Sequence, residues 1–97
     1  MQGPPAGLQA YKRTREFDET SIPDALRGEH TTRRGVWARI CVAEGELLLR
    51  ILAPEPQEIL LTPENPGFVA PEVPHQVEPR GRVRFHVDFL RREPPRA

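Results

Sequence analysis

The residues that could do chemistry in this chain are few, and two histidines lead them. His30 lies in GEHTTRRGVWARI, just ahead of a strongly alternating stretch. His75 lies in PEVPHQVEP, where Pro71 and Pro74 bracket a stiff, extended piece that delivers it. Neutral imidazole is a common metal ligand and a common acid or base. If the strands that follow these two histidines close into a barrel, His30 and His75 meet at its mouth and hold a divalent transition metal such as zinc, iron, manganese or nickel. Glu72, three residues before His75, and His86 are further candidate ligands, since carboxylate with imidazole suits those metals. The bland alternatives are two loop histidines, a solvated turn glutamate, and an exposed strand histidine between Arg84 and Asp88. By residue type alone they are the commoner case.

Trp37 and Arg39 share one face of the alternating stretch. Pointing into a cavity, they would line a pocket for an anionic or planar ligand. Equally, Trp37 packs in the core and Arg39 pairs with an acid such as Glu46 or Asp88. Cys41 lies on the same face and reads as a small buried apolar residue. There is no CxxC pair, no glycine-rich phosphate loop and no Ser–His–Asp order. The basic pairs Lys12-Arg13, Arg33-Arg34 and Arg91-Arg92 are scattered, without interleaved aromatics. They read as solvated faces and not as a nucleic-acid surface.

Short strands must position these groups. Val36, Ala38, Ile40 and Val42 alternate with Trp37, Arg39, Cys41 and Ala43, which is strand period. Glu44-Gly45 is a tight-turn dipeptide, and Leu47, Leu49 and Ile51 resume the alternation, so the two runs read as a hairpin. Residues 58–62 form a third apolar run, and Phe68-Val69 a short strand. Arg80-Gly81 reads as another turn. Val83, Phe85, Val87 and Phe89 then alternate with Arg84, His86 and Asp88. Residues 8–17 suggest an edge strand. One helical turn through Leu26 is expected, capped by Ser21 or Asp24 and ended at Gly28. Residues 1–7 and 91–97 read as loose tails.

Ninety-seven residues, 37% of them hydrophobic, with twelve prolines and seven glycines, describe one all-β domain of short elements and frequent turns. Fourteen basic and fourteen acidic residues cancel. No field of one sign exists to draw nucleic acid or an anionic membrane. A single cysteine cannot form an internal disulfide, and the N-terminal stretch holds no apolar run of signal-peptide length. Both lead to the expectation of a soluble cytoplasmic protein.

Taken in order, YKRTREF, EHTTRRGVWARICVAEGEL, PGFVAPEVPHQVEP and VRFHVDF resemble the TehB/YeaR-like domain family from Tyr11 to about Leu90. The most specific pieces are H-x-T-x-x-G-V-W-x-R around His30 and Trp37, and P-E-x-x-H-x-V-E around His75. The resemblance implies a cupin-like double-stranded β-helix, a small jelly-roll barrel, and supports convergence of His30 with His75. The usual cupin metal set is incomplete here. Thr32 stands where a second histidine is expected, and Trp37 falls near the glutamate position. The methyltransferase part of full-length TehB has no counterpart in this sequence.

The expectation is therefore a cupin-like domain that binds a metal, a small molecule or an oxyanion in a tellurite or nitrosative stress response. Leu48 and Leu60 on the second face would favour a homodimer. The rivals are a cupin-type metal-dependent isomerase or dioxygenase and a non-catalytic interaction module.

Overall fold

The computed structural model describes residues 4–92. The chain is nearly all strand: β1 (Leu8–Arg13), β2 (Phe17–Asp18), a single helical turn α1 (Asp24–Arg27), β3 (Trp37–Ile51), β4 (Gln57–Leu61), β5 (Gly67–Val69) and β6 (His75–Arg92). The all-β class expected from turn density and alternation is the class observed. Among the described residues no helix is long and apolar enough to cross a membrane.

The two long strands are the frame. β3 and β6 run antiparallel and pair from Trp37↔Leu90 to Ile51↔His75. The strand order is β1-β6-β3-β4, with β2 on β6 and β5 on β3. The expected hairpin at Glu44-Gly45 does not form. The chain continues through it, because each half of β3 finds its partner in β6 and not in the other half. Gly45 (φ 84°) and Gly81 (φ 76°) sit where the register slips. The same positive φ serves a tight hairpin turn and a glycine bulge, so the dipeptides do not distinguish them. Arg80-Gly81 is likewise a bend within β6 and not a turn between strands.

Alternation on both sides of the bend feeds one core. Ala38, Ile40, Val42, Leu47, Leu49 and Ile51 from β3 meet Val77, Val83, Phe85 and Val87 from β6, with Phe17, Ile22, Leu61 and Val69 closing the cluster. Phe17 and Phe85 meet with ring centroids 5.6 Å apart. Leu48 points the other way yet is already buried by the chain itself, whereas Leu60 stays exposed. Arg91 and Arg92, expected in a loose tail, are strand residues paired with Gln9 and Leu8. Of the expected N-terminal tail, residues 4–7 run into a turn ahead of β1, while residues 1–3 and 93–97 lie outside the described residues. Helix α1 has no side-chain cap, because the Ser21 hydroxyl accepts a hydrogen bond from the Asp18 amide instead.

Candidate functional site

The start of β6 brings His75 beside His30. Their backbones exchange two hydrogen bonds, from the His30 amide to the His75 carbonyl (2.9 Å) and from the His75 amide to the His30 carbonyl (2.8 Å). The rings stand edge to face with centroids 5.3 Å apart. His75 is 2% exposed, and its Nδ1 lies 2.9 Å from the Val73 carbonyl. A carbonyl only accepts, so Nδ1 carries the proton, and Nε2 keeps the lone pair of the neutral ring. Burial pushes the His75 pKa below its ordinary value, with a smaller push from His30 against the pull of the Val73 carbonyl.

This depression sets a pH dependence. The unfolded chain takes up a proton near 6.5 that buried His75 resists. Below that pH the unfolded state binds more protons than the native state, so stability falls as pH drops. Urea midpoints measured from about pH 7.5 down to about pH 5.5 should therefore decline, and His75→Gln should flatten the slope. An unchanged slope in the variant would assign the effect elsewhere.

His30, Thr32 and Phe89 border two spaces. Inward lies a cavity of about 30 Å³, lined by His30, His75, Thr14, Thr32, Phe85 and Phe89 among others. It has room for about one water and none for an organic substrate. Outward lies a groove of about 310 Å³ lined by Tyr11, Lys12, His30, Thr31, Thr32, Arg33, Val36 and Phe89. Among the described residues two cations and no carboxylate line it. The Arg91 guanidinium stacks 4.1 Å from the Tyr11 ring centroid and so holds one wall. The Thr32 hydroxyl donates to the Val36 carbonyl at 2.8 Å, which ties the loop to the head of β3. Thr31 is exposed on the groove wall.

The other expected site residues lie elsewhere. Glu72 is exposed in a turn at φ 62° and lines neither space. Trp37 and Arg39 do not line the groove or the cavity. Strand period sends Ala38, Ile40 and Val42 inward, so Trp37, Arg39 and Cys41 occupy the outer face. There Arg39 pairs with Asp88, the second of its expected roles, and Trp37 is half-buried outside the core. His86 is on that outer face too, opposite Cys41, and so is separated from His30 and His75.

The donor set around His30 and His75 does not fit a cupin metal centre. Among the described residues one group of three His, Cys, Asp or Glu side chains has its ligand atoms within 4.8 Å of one another, and it contains neither His30 nor His75. Two histidines with a threonine between them leave a transition metal short of protein ligands. Sequence reasoning missed Lys12 and Arg33, read as solvated faces. They are 21 residues apart in sequence, and only the pairing of β1 with β6 makes them neighbours of one groove.

Fold and site together define a small antiparallel β domain with a basic, aromatic-walled groove over a histidine pair. The TehB-like domain model matches residues 12–87, and the chain belongs to the TehB-like domain family. TehB from Haemophilus influenzae has the same fold, with a TM-score of 0.82 and 25% identity over 90% of this chain. This chain spans only 32% of that protein. A structural-genomics protein from E. coli strain K12 has a TM-score of 0.84 at 21% identity, covering 97% of this chain and all of its own. No curated protein matches.

Proposed function

We propose that this domain binds a small oxyanion or a similar small anionic molecule in the groove beside the His30–His75 pair. The observation that carries this reading is the convergence of Lys12, Arg33, Thr31 and His30 on one open groove that no carboxylate of the described residues lines. Charge-assisted hydrogen bonds from lysine and arginine are the strong kind. The aromatic walls, Tyr11 and Phe89, lower the local dielectric and so strengthen them. The chain has no net charge, so the attraction is local and not a property of the whole surface.

Buried His75 supports the site from behind. Its neutral ring and its two backbone bonds to His30 fix where the His30 ring stands. Membership of the TehB-like family makes tellurite the first oxyanion to examine, with nitrate and phosphate beside it. The reading of a cupin isomerase or dioxygenase needs further ligands around His30 and His75, and none of the described residues completes such a set.

Titration of the full chain with tellurite, nitrate and phosphate, followed by amide NMR shifts, tests this reading. Shifts should centre on residues 30–33 and on Tyr11 and Lys12. Removing two charged donors in Lys12→Ala, Arg33→Ala should weaken binding about tenfold to a hundredfold. Added salt should weaken it further. Saturable binding that the double variant leaves unchanged would defeat the proposal, as would the absence of shifts at the groove with all three anions.

A further inference from the structure

We propose that Cys41, His86 and Asp88 form a site for a thiophilic divalent cation of the zinc type on the outer face of the β3–β6 pair. The site is independent of the groove. Cys41 pairs with His86 across the strands, and Arg39 with Asp88 two residues further along. Strand period therefore puts all three donors on one face, and their ligand atoms lie within 4.8 Å of one another. Zinc bonds thiolate at about 2.3 Å and imidazole at about 2.0 Å, so small side-chain rotations bring the three donors onto one ion.

A second observation points to a ligand. His86 Nε2 is buried and, among the described residues, has no hydrogen-bond partner. It stands 3.5 Å from Asp88 Oδ2 without bonding to it. A buried ring nitrogen left unpaired is costly, and a cation between it and Asp88 removes that cost. Asp88 itself is 1% exposed and is already oriented. Its carboxylate accepts from Arg13 Nε at 2.7 Å and from Arg39 Nη2 at 2.8 Å. Partners of this kind fix a ligating carboxylate in place.

The donors choose the cation. A thiol, an imidazole and one carboxylate suit zinc or a similar soft ion and not magnesium or calcium. On binding, the Cys41 S–H bond breaks, a sulfur–metal bond forms and the proton leaves to solvent. Burial pushes the Cys41 thiol up, so without metal it stays protonated. Three protein ligands leave a fourth position open. The two guanidiniums beside Asp88 favour an anion there, hydroxide or chloride from the solvent.

Cobalt(II) serves as the probe, because thiolate-to-cobalt charge transfer gives a near-ultraviolet band. The full chain should show this band at one equivalent and lose it when zinc is added. Cys41→Ser should abolish it. His86→Ala, with His86→Gln as a second variant, should weaken cobalt binding at least about tenfold. The His30→Ala, His75→Ala variant should bind as the parent does, which separates this site from the histidine pair. No band in the parent chain would overturn the proposal. So would unchanged affinity in both His86 variants, which would leave only a thiol picking up metal by itself.

Discussion

Gly45→Ala should lower stability by about 3 to 5 kcal/mol, the sum of a strained backbone and a close contact. Gly45 has φ 84°, where L side chains are strained, and a Cβ built there would meet the Arg82 carbonyl oxygen at 1.9 Å. That neighbour is backbone of the paired strand, so it can move only by breaking the β3–β6 register at the bend. Gly81 is the natural control. It has a similar φ, 76°, but open space around the added methyl. Gly81→Ala should cost only about 1 kcal/mol from the backbone alone. Urea denaturation of both variants measures the difference. Equal losses would show that the bend tolerates bulk at Gly45 and that the contact with Arg82 does not hold the frame.

Asp88→Asn should lower stability at neutral pH by about 2 kcal/mol. Burial of this carboxyl raises its pKa, but the hydrogen bonds from Arg13 and Arg39 and the charge of His86 outweigh that, and the pKa falls from 3.8 to about 2. The native state therefore holds the ionised form more firmly than the unfolded chain does. The contribution is present above about pH 3.8 and is lost as pH falls towards about 2. The variant and the parent should differ in urea midpoint at about pH 7 and converge near about pH 2. Arg13 is largely exposed and Arg39 one-third exposed, so both rehydrate when Asp88 is lost. That keeps the cost below that of a fully buried pair broken on one side. Equal midpoints at neutral pH would show the two ion pairs to be worth no more than surface pairs.

Several elements are legible in local pattern. The Val36–Val42 and Val83–Val87 runs alternate with period two, and that period fixes which side of each strand is core. The short strands at 57–61 and 67–69 follow from apolar runs closed by proline and glycine. Gly45 and Gly81 mark special backbone positions, but local chemistry does not say whether such a position is a turn or a bulge. That depends on the partner strand. β6 is long enough to pair with both halves of β3, so continuing the strands satisfies more backbone groups than turning would.

The site divides in the same way. His30 and His75 are recognisable as residues that precede strands, and their adjacency follows once β6 begins at His75. Trp37 and Arg39 share a face by strict alternation, but alternation does not say which face is inside. The apolar Ala38, Ile40 and Val42 take the core, and Trp37 and Arg39 go out. Lys12 and Arg33 carry no local signal at all, because a solvated lysine and a groove lysine look alike in sequence. The same holds for Cys41, His86 and Asp88, whose proximity comes from a register of residues 45 apart in the chain. The sequence by itself determined an all-β domain, its apolar faces and its two strand-leading histidines, because those depend on neighbours a few residues away. Only the tertiary structure decided the bend in β3 and β6, the basic groove and the outer-face cluster, because each depends on which distant strands exchange hydrogen bonds.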